Sequence, residues 1–295
     1  MKVNKLTKSG QFFVLLLLMS MLLWQCDRSA DQNSGTDEKT DNTPLFSLLD
    51  STQTNITFTN IIQESNYVNY FKYEYMYNGG GVAVGDVNND DLPDIYFTGN
   101  LVPNRLYINK GDFKFEDVTI KAQVSAINDW STGVTMADVN NDGWLDIYVC
   151  RSGWFEDPVQ RRNLLFVNNA DGTFSERARS YGIGDTGYST QATFFDFDKD
   201  GDLDLYVANH PHLFKEHVDD FLKKTRNPPE DNRDKLFRND GGRFTEISRS
   251  AGILNYAHTL GIVAVDFNQD GWIDLYLSND YQEPDILYLQ SSVWE

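Results

Sequence analysis

The sequence has few cysteines, few basic residues and no long apolar run. It holds 2 cysteines among 295 residues, and 25 lysines and arginines against 44 aspartates and glutamates, which gives a formal net charge of −19. After Cys26 only Cys150 remains, so the mature chain has no intramolecular disulfide and its stability must come from other interactions. Cys150 ends an apolar run and is predicted to be a buried, inert core residue. The acidic balance argues against nucleic acid or an anionic membrane surface as a partner, since both would repel the chain.

The N-terminus has the composition of an export signal. Lys2, Lys5 and Lys8 precede an apolar stretch from Phe12 to Leu23, which is too short for a transmembrane helix. The stretch ends at Cys26, in a position that resembles the lipoprotein box in which the thiol is acylated. We therefore predict a signal peptide over residues 1–26 with lipidation at Cys26; the alternative is an ordinary signal peptide that contains a cysteine. Either interpretation predicts export.

The next residues are polar and the rest of the chain is repetitive. Residues 27–44 are predicted to be a disordered tether, and residues 45–295 a folded domain. Four segments of this domain share an apolar stretch that enters an Asp-rich loop, and the first loop Asp recurs after 52, 58 and 70 residues. Periods of this size are typical of solenoids and propellers.

Each repeat is predicted to contain four short strands. The first enters the Asp loop, and three more follow it. The second strands are Ile95–Phe97, Ile147–Val149, Leu205–Val207 and Leu275–Leu277; the third are Arg105–Asn109, Asn163–Asn168, Lys235–Asn239 and Ile286–Leu289; the fourth are Phe113–Val118, Thr173–Glu176 and Arg243–Ile247. Four antiparallel strands per repeat predict an all-β fold of β-propeller blades, with four blades present.

Two segments depart from this repeat. Ile56–Asn60 has the pattern of a fourth strand without the first three, and it could close a four-bladed ring by completing the last blade. We favour the alternative that these residues are the N-terminal piece of a longer propeller. An insertion between Asn209 and Lys235 spaces its apolar residues as in a short amphipathic helix that ends before Pro228. A smaller insertion covers residues 151–162.

The Asp loops carry oxygen-bearing side chains at positions 1, 3, 5 and 9. So many carboxylates within nine residues would repel one another unless a cation lay among them, and calcium prefers such hard oxygen ligands. We predict about four Ca²⁺ sites. Their ligands are Asp86, Asn88, Asp90 and Asp94; Asp138, Asn140, Asp142 and Asp146; Asp196, Asp198, Asp200 and Asp204; and Asp266, Asn268, Asp270 and Asp274.

The details of the loops refine this prediction. The third loop has four carboxylates, so it is predicted to bind calcium most tightly. Position 6 is glycine in three loops and Asp91 in the first, which indicates a positive φ there. The loops are not EF-hands, because position 12 is apolar and strand residues follow position 9. The alternative is a set of Asp/Asn-rich turns without metal.

The motifs resemble a known family. The glycine-rich strand, the Asp loop and the following Leu/Ile-Tyr are similar to the FG-GAP/VCBS repeats of integrin α-subunit propellers. The wider frame from Tyr77 to Asp86 and from Asn104 to Gly111 is similar to bacterial cartilage-acidic-protein-like (ASPIC/UnbV-type) lipoproteins. The resemblance implies a seven-bladed propeller, calcium in the loops and extracellular binding.

These observations favour an adhesion or partner-binding module over an enzyme. The expected partner is an extracellular protein or glycan, and the expected location is the bacterial outer membrane or cell surface. The alternatives are a carbohydrate-active enzyme, for which no nucleophile with a paired base is evident, and an accessory or scaffold subunit of a glycan-uptake system. A zinc site is a weaker alternative. The residues considered for partner or zinc binding lie in the two insertions and are Trp154, Phe155, His210, His212, Phe214 and His217.

Overall fold

The computed structural model describes residues 44–127, 129–211, 218–281 and 283–291. The predicted signal peptide, Cys26, most of the predicted tether, and His212, Phe214 and His217 lie outside these residues. The chain divides into a unit over Met1–Leu48 and a unit over Leu49–Glu295. Within the described part of the first unit, residues 44–48 are exposed. No helix among the described residues has the length and apolarity needed to cross a membrane.

The second unit is built from short strands in four antiparallel sheets. The strands are β1 (Val82–Gly85), β2 (Asp94–Phe97), β3 (Arg105–Asn109), β4 (Phe115–Asp117), β5 (Ser131–Ala137), β6 (Asp146–Arg151), β7 (Leu164–Asn168), β8 (Phe174–Glu176), β9 (Ser189–Phe195), β10 (Asp204–Asn209), β11 (Lys235–Asn239), β12 (Phe244–Glu246), β13 (Thr259–Val265), β14 (Asp274–Asn279) and β15 (Ile286–Tyr288). Three sheets have four strands in sequential order, and the last sheet has β13, β14 and β15. The strands predicted within the four repeats are confirmed to within a few residues.

The sheets are arranged as propeller blades. The first strands contact one another in succession, β1 with β5, β5 with β9 and β9 with β13. Sequential four-stranded meanders whose first strands lie side by side are the architecture of a β-propeller. The predicted fold class is therefore confirmed, while the number of blades in a closed ring stays a prediction.

The core lies between successive blades rather than inside one sheet. One cluster joins the first two blades through residues such as Tyr96 and Phe166, and a second joins the next pair through Tyr148 and Phe237. Because strand side chains alternate between faces, each blade contributes one face to each neighbour. Cys150 lies in the second cluster with no exposed surface, which confirms its predicted burial.

Helices are few and short. They are α1 (Ser51–Thr54), α2 (Thr119–Ala122), α3 (Pro158–Arg161), α4 (Ala178–Tyr181) and α5 (Val218–Arg226), with 3₁₀ turns at Glu74–Tyr77 and Glu230–Asn232. Helix α5 lies in the larger insertion, where the sequence predicts a helix. It ends before Pro228, as expected.

The prediction that Ile56–Asn60 forms a fourth strand is wrong. These residues are extended but belong to none of the sheets. The Phe58 ring instead stacks on Phe97 of the first blade at 5.1 Å, and the Thr57 amide donates to the Tyr107 hydroxyl at 3.2 Å. The segment therefore packs against side chains of the first blade and does not pair with the edge of the last one.

Candidate metal centre

The aspartate at position 9 of every loop fastens the loop to its blade. Asp94, Asp146, Asp204 and Asp274 are almost completely buried at the start of the second strand. One carboxylate oxygen accepts the amide of loop position 2, at 2.9–3.2 Å. The other accepts an amide at the end of the third strand, at 2.8 Å. These aspartates are thus structural anchors as well as candidate ligands, a role that spacing alone does not indicate.

The sharp turn at position 6 has the predicted left-handed conformation. Gly143, Gly201 and Gly271 have φ values of 86°, 94° and 88°, and Asp91 has a φ of 67° in the first loop. In each loop the amide of this residue donates to the position 1 carboxylate, as from Gly143 to Asp138 at 2.7 Å. The turn directs the first aspartate inward.

In three loops the asparagine at position 3 donates a side-chain hydrogen bond to the aspartate at position 5. Asn140 donates its side-chain amide to Asp142 at 2.9 Å, and the first and fourth loops have the same contact at 3.0 and 2.9 Å. The asparagine oxygen also accepts the position 5 amide in these loops. A cation there would have to replace or rearrange the contact between the asparagine and the aspartate.

The third loop differs because position 3 is an aspartate. Oxygen atoms of Asp196, Asp198 and Asp204 all lie within 4.8 Å of one another, and this is the only such group of acidic, histidine or cysteine side chains found in the described part of the chain. One oxygen of Asp196, Oδ1, is buried and has no hydrogen-bond partner there. Asp200 is outside this group, and its Oδ1 accepts the Asp202 amide at 2.8 Å. The structure thus brings together three of the four predicted ligands of this loop.

The electrostatics of the group favour a cation. The pKa of Asp204 is raised to about 7, mainly by burial and also by the nearby charges of Asp198 and Asp200, which together outweigh two backbone hydrogen bonds that lower it. Burial also raises the pKa of Asp198. A divalent ion would offset both the desolvation of these carboxylates and their mutual repulsion. The oxygen-only donor set suits a hard cation such as calcium.

A family model for the FG-GAP-like repeat matches residues 86–149, 157–207 and 227–277. These matches cover more than half of the chain. The chain belongs to the FG-GAP-like repeat family. The first match contains the first two Asp loops, and the second and third matches contain the third and fourth loops, so the candidate metal centre lies inside the FG-GAP-like repeats.

Curated relatives agree with this assignment. The chain is 28% identical over 247 residues to cartilage acidic protein 1 of Xenopus tropicalis, covering 78% of this chain and 33% of that protein. It is 28% identical to human cartilage acidic protein 1 over 206 residues, which are 69% of this chain and 28% of that protein. Integrin alpha-8 of Gallus gallus is 28% identical over 177 residues, 54% of this chain and 17% of the integrin. The chain spans about a third or less of the length of these relatives.

The opposite end of the FG-GAP-like blades carries an aromatic cluster. Trp130 lies directly before strand β5, and the second Asp loop begins directly after β5 at Asp138. Because β5 has seven residues, the aromatic cluster and this Asp loop are about 20 Å apart. Trp130 packs with Tyr73, and Trp154 lies 5.2 Å from Trp130 between ring centroids. A cavity of about 440 Å³ opens here beside Tyr73, Trp130 and Gln191.

This end also contains a serine–histidine pair that the sequence analysis missed. Ser152 Oγ and His210 Nε2 are 2.8 Å apart, and His210 Nδ1 lies 2.7 Å from the Pro211 carbonyl. The Tyr73 hydroxyl donates to Ser152 at 3.2 Å. The pair joins the second and third blades across 58 residues of sequence, which no local motif reveals. Both side chains have no exposed surface, so they connect two blades and are closed to a substrate in this conformation.

Proposed function

We propose that this chain is a calcium-stabilised propeller module that binds an extracellular protein or glycan at the cell envelope. The oxygen group of Asp196, Asp198 and Asp204 carries the calcium part of the proposal. The third loop is its strongest site, because its position 3 supplies a carboxylate where the other loops supply an amide. In the other three loops the ligands are Asp86, Asn88, Asp90 and Asp94; Asp138, Asn140, Asp142 and Asp146; and Asp266, Asn268, Asp270 and Asp274, with Asp200 completing the third set.

The role of bound calcium is mainly structural. With no disulfide in the described residues, the ions would hold the loops that connect first and second strands of each blade. Ion binding to the folded chain stabilises it by mass action, so the melting temperature should rise with calcium concentration. Neutralising part of the −19 charge contributes in the same direction.

A reciprocal exchange between two loops tests the calcium site. Asp198→Asn places an asparagine at position 3 of the third loop, as in the second loop. Asn140→Asp places an aspartate at position 3 of the second loop, as in the third loop. We expect Asp198→Asn to weaken the tightest calcium-binding event about tenfold or more, since a charged ligand is lost. Asn140→Asp should add a tight event. Calorimetric titration with calcium measures both, and unchanged affinities in both variants would contradict the assignment.

Partner binding is proposed at the aromatic end. The cavity near Trp130, the half-buried rings of Trp154 and Phe155 in the smaller insertion, and His210 at the start of the larger insertion lie there, and connecting loops on a rigid scaffold are the usual carriers of recognition. Aromatic side chains provide large contact areas at low entropic cost, which suits a glycan or a protein surface. Because this surface is separated from the Asp loops, calcium would stabilise the module that binds the partner without contacting the partner itself.

A matched pair of tryptophans tests the location of this surface. Trp154→Ala removes a half-buried ring at the aromatic end, and Trp144→Ala removes a half-buried ring in the second Asp loop. Screens of the calcium-loaded chain against glycans and envelope proteins should find a partner whose affinity falls about tenfold with Trp154→Ala only. An equal effect of both changes would contradict the location. Conversion of a glycan into products would favour an enzyme instead.

Attachment to the envelope is proposed through a lipid on Cys26. Cys26 follows an apolar stretch and precedes a polar one, and the proposal depends on this sequence pattern alone. Cys26→Ser should release the chain from the membrane fraction of expressing cells and abolish incorporation of labelled fatty acid. Membrane retention of the variant without label would indicate another mode of attachment.

A further inference from the structure

The chain forms a self-contained loop just before the first blade. In this loop, residues 64–78 and here called the lid loop, the Tyr77 hydroxyl near one end donates a hydrogen bond to the Glu64 carboxylate at the other. Among the described residues, the backbone hydrogen bonds of the loop run between its own residues, as from the Tyr73 amide to the Asn69 carbonyl at 3.3 Å. A compact loop whose ends are close together is an Ω-loop. Because it shares no backbone ladder with the described strands, its movement does not require a blade to unfold.

The lid loop has a buried face and an exposed face. Tyr73, Tyr75 and Met76 are almost completely buried, whereas the side chains of Tyr67 and Phe71 are 81% and 89% exposed. The three buried residues belong to the aromatic cluster at the end of the blades opposite the Asp loops. The loop is therefore held to the propeller by the side chains of one face.

The buried face reaches three blades. The Tyr73 ring lies 5.4 Å from the ring of Trp130 at the second blade and 5.9 Å from that of His210 in the third, between centroids. The Tyr75 ring lies 5.4 Å from that of His210 and 6.3 Å from that of Tyr281 in the fourth blade. The lid loop thus extends over the aromatic end from the second blade to the fourth.

The lid loop covers the serine–histidine pair and a cavity. The Tyr73 hydroxyl donates to Ser152 Oγ at 3.2 Å and lies 3.5 Å from His210 Nε2. Burial raises the pKa of this hydroxyl, so it stays protonated and able to donate. The cavity of about 440 Å³ lies between Tyr73 and Tyr75 of the loop and Trp130 of the blades. Where the loop faces this cavity it lacks packing partners, which lowers the free-energy cost of lifting it.

We propose that residues 64–78 are a lid that opens as a unit while the blades stay folded, and that opening exposes Ser152, His210 and the cavity to a ligand. In the closed form the Tyr73 hydroxyl takes the place beside Ser152 and His210 that a hydroxyl group of the ligand takes when the lid is open. A ligand of this site binds more weakly in proportion to the fraction of closed chains. That this ligand is the partner rests on the proposed function, whereas the opening of the lid does not.

A thiol placed under the lid loop measures its opening. Ser152→Cys in the full calcium-loaded chain with Cys26→Ser leaves two thiols, and trypsin separates them by cleaving after Arg151. Neither position has exposed surface, but Ser152 lies under the loop and Cys150 lies in the core between the second and third blades. We expect iodoacetamide to modify the introduced thiol on the order of a hundredfold faster than Cys150, because the lid opens more often than the blades.

Loss of a contact between the lid loop and the fourth blade should raise this rate. The Tyr281 hydroxyl donates to Glu74 of the loop at 2.7 Å, so Tyr281→Phe should make modification of the introduced thiol about fivefold faster. Tyr276→Phe is the matched control, since the Tyr276 hydroxyl donates to Asp285 at 2.6 Å in the same blade and outside the loop. The control should leave the rate at the introduced thiol unchanged, because its hydrogen bond is lost in both the closed and the open form.

Equal modification rates at the two thiols, or equal effects of Tyr281→Phe and Tyr276→Phe, would overturn the proposal. If Ser152→Cys does not fold, hydrogen exchange of the unchanged chain decides the matter. The Tyr73 and Met76 amides, which donate within the loop, should exchange through an opening that denaturant does not accelerate. Exchange with the same denaturant dependence as strand β6 would show that the loop is a fixed part of the propeller. No partner is used in these measurements, so their failure is distinct from a failure of the proposed binding function.

Discussion

Asn141 of the second Asp loop donates a side-chain amide hydrogen bond to Asp202 of the third loop, with 2.8 Å between Nδ2 and Oδ1. The first loop makes a similar bridge to the second, from Asn89 to the Gly143 carbonyl at 3.1 Å. Both asparagines are the fourth residue of their loop and have positive φ values of 57° and 56°. The left-handed residue of one loop thus reaches the loop of the next blade.

The third and fourth loops are connected in a different way. Lys199, again the fourth residue with a positive φ of 63°, places its Nζ 3.9 Å from the centre of the Trp272 ring. Three consecutive bridges therefore link four loops that are far apart in sequence. Changes in one loop, including the binding of an ion, should affect the stability of its neighbour.

We expect Asn141→Gly to lower the free energy of unfolding by about 1 kcal/mol, since the left-handed conformation stays accessible and only the bridge is lost. Gln269→Gly is the matched control, because Gln269 has the same position and a φ of 62° but makes no bridge to another Asp loop among the described residues. Urea denaturation of the calcium-loaded variants measures the difference. Equal losses in both would show that the bridge contributes nothing.

The buried loop carboxylates should make stability depend on pH. Burial raises the pKa of Asp204 to about 7 and that of Asp146 to about 6, both above the ordinary aspartate value of 3.8. A raised carboxyl pKa means that the folded state binds protons more tightly than the unfolded one. The stabilisation is therefore complete below about pH 4 and is lost as the pH rises to about 7.

In the presence of a calcium chelator, we therefore expect the melting temperature to fall as the pH rises from about 4 to about 7, because these two carboxyls lose their protons. Calcium should flatten this dependence, because the ion replaces the proton, and calcium binding near pH 6 should release protons. Asp234 also has a raised pKa of about 7 from burial, so Asp234→Asn is needed as the background for the measurement. An unchanged pH dependence with saturating calcium would contradict the role of Asp204.

The sequence predicts the blades well because each loop aspartate has a local structural task. Asp94 and its equivalents accept the backbone amide seven residues before them in every loop, so the spacing that marks the loop also marks the start of the second strand. The glycines at position 6 and the apolar residues after position 9 act within the same few residues. Such local determinants are visible in one repeat and are reinforced by the other three.

Contacts between blades are not visible in this way. Ser152 and His210, or Phe58 and Phe97, meet because of how strands are stacked around the propeller. The strand prediction for Ile56–Asn60 fails for the same reason: its pattern matches a fourth strand, but no free edge lies beside it. The geometry of the third loop could be predicted in part. The sequence shows that position 3 is the carboxylate Asp198, but it does not show how close this carboxylate lies to Asp196 and Asp204.

The thiol of Cys150 should report on calcium binding from inside the core. It has no exposed surface, and burial raises its pKa well above the ordinary value, so it reacts only when the chain opens. In a chain with Cys26→Ser, we expect chelator to accelerate labelling by a disulfide reagent about tenfold or more. Adding Asp198→Asn should reduce this acceleration. Labelling at the same rate with and without calcium would argue against a stabilising ion.

The turn at position 6 offers a final test in which packing is not involved. Gly143 has a φ of 86°, and a Cβ at this position would have no atom within 4 Å. Gly143→Ala should therefore destabilise the chain by about 1 kcal/mol through backbone strain alone. Asp91 has the same position in the first loop with a φ of 67°, so Asp91→Gly should relieve strain and cost little or raise stability slightly. Chemical denaturation of both variants in chelator separates this backbone effect from any effect on calcium. A loss of stability in Asp91→Gly as large as that in Gly143→Ala would show that the Asp91 side chain, rather than the backbone conformation, determines the stability of the first loop.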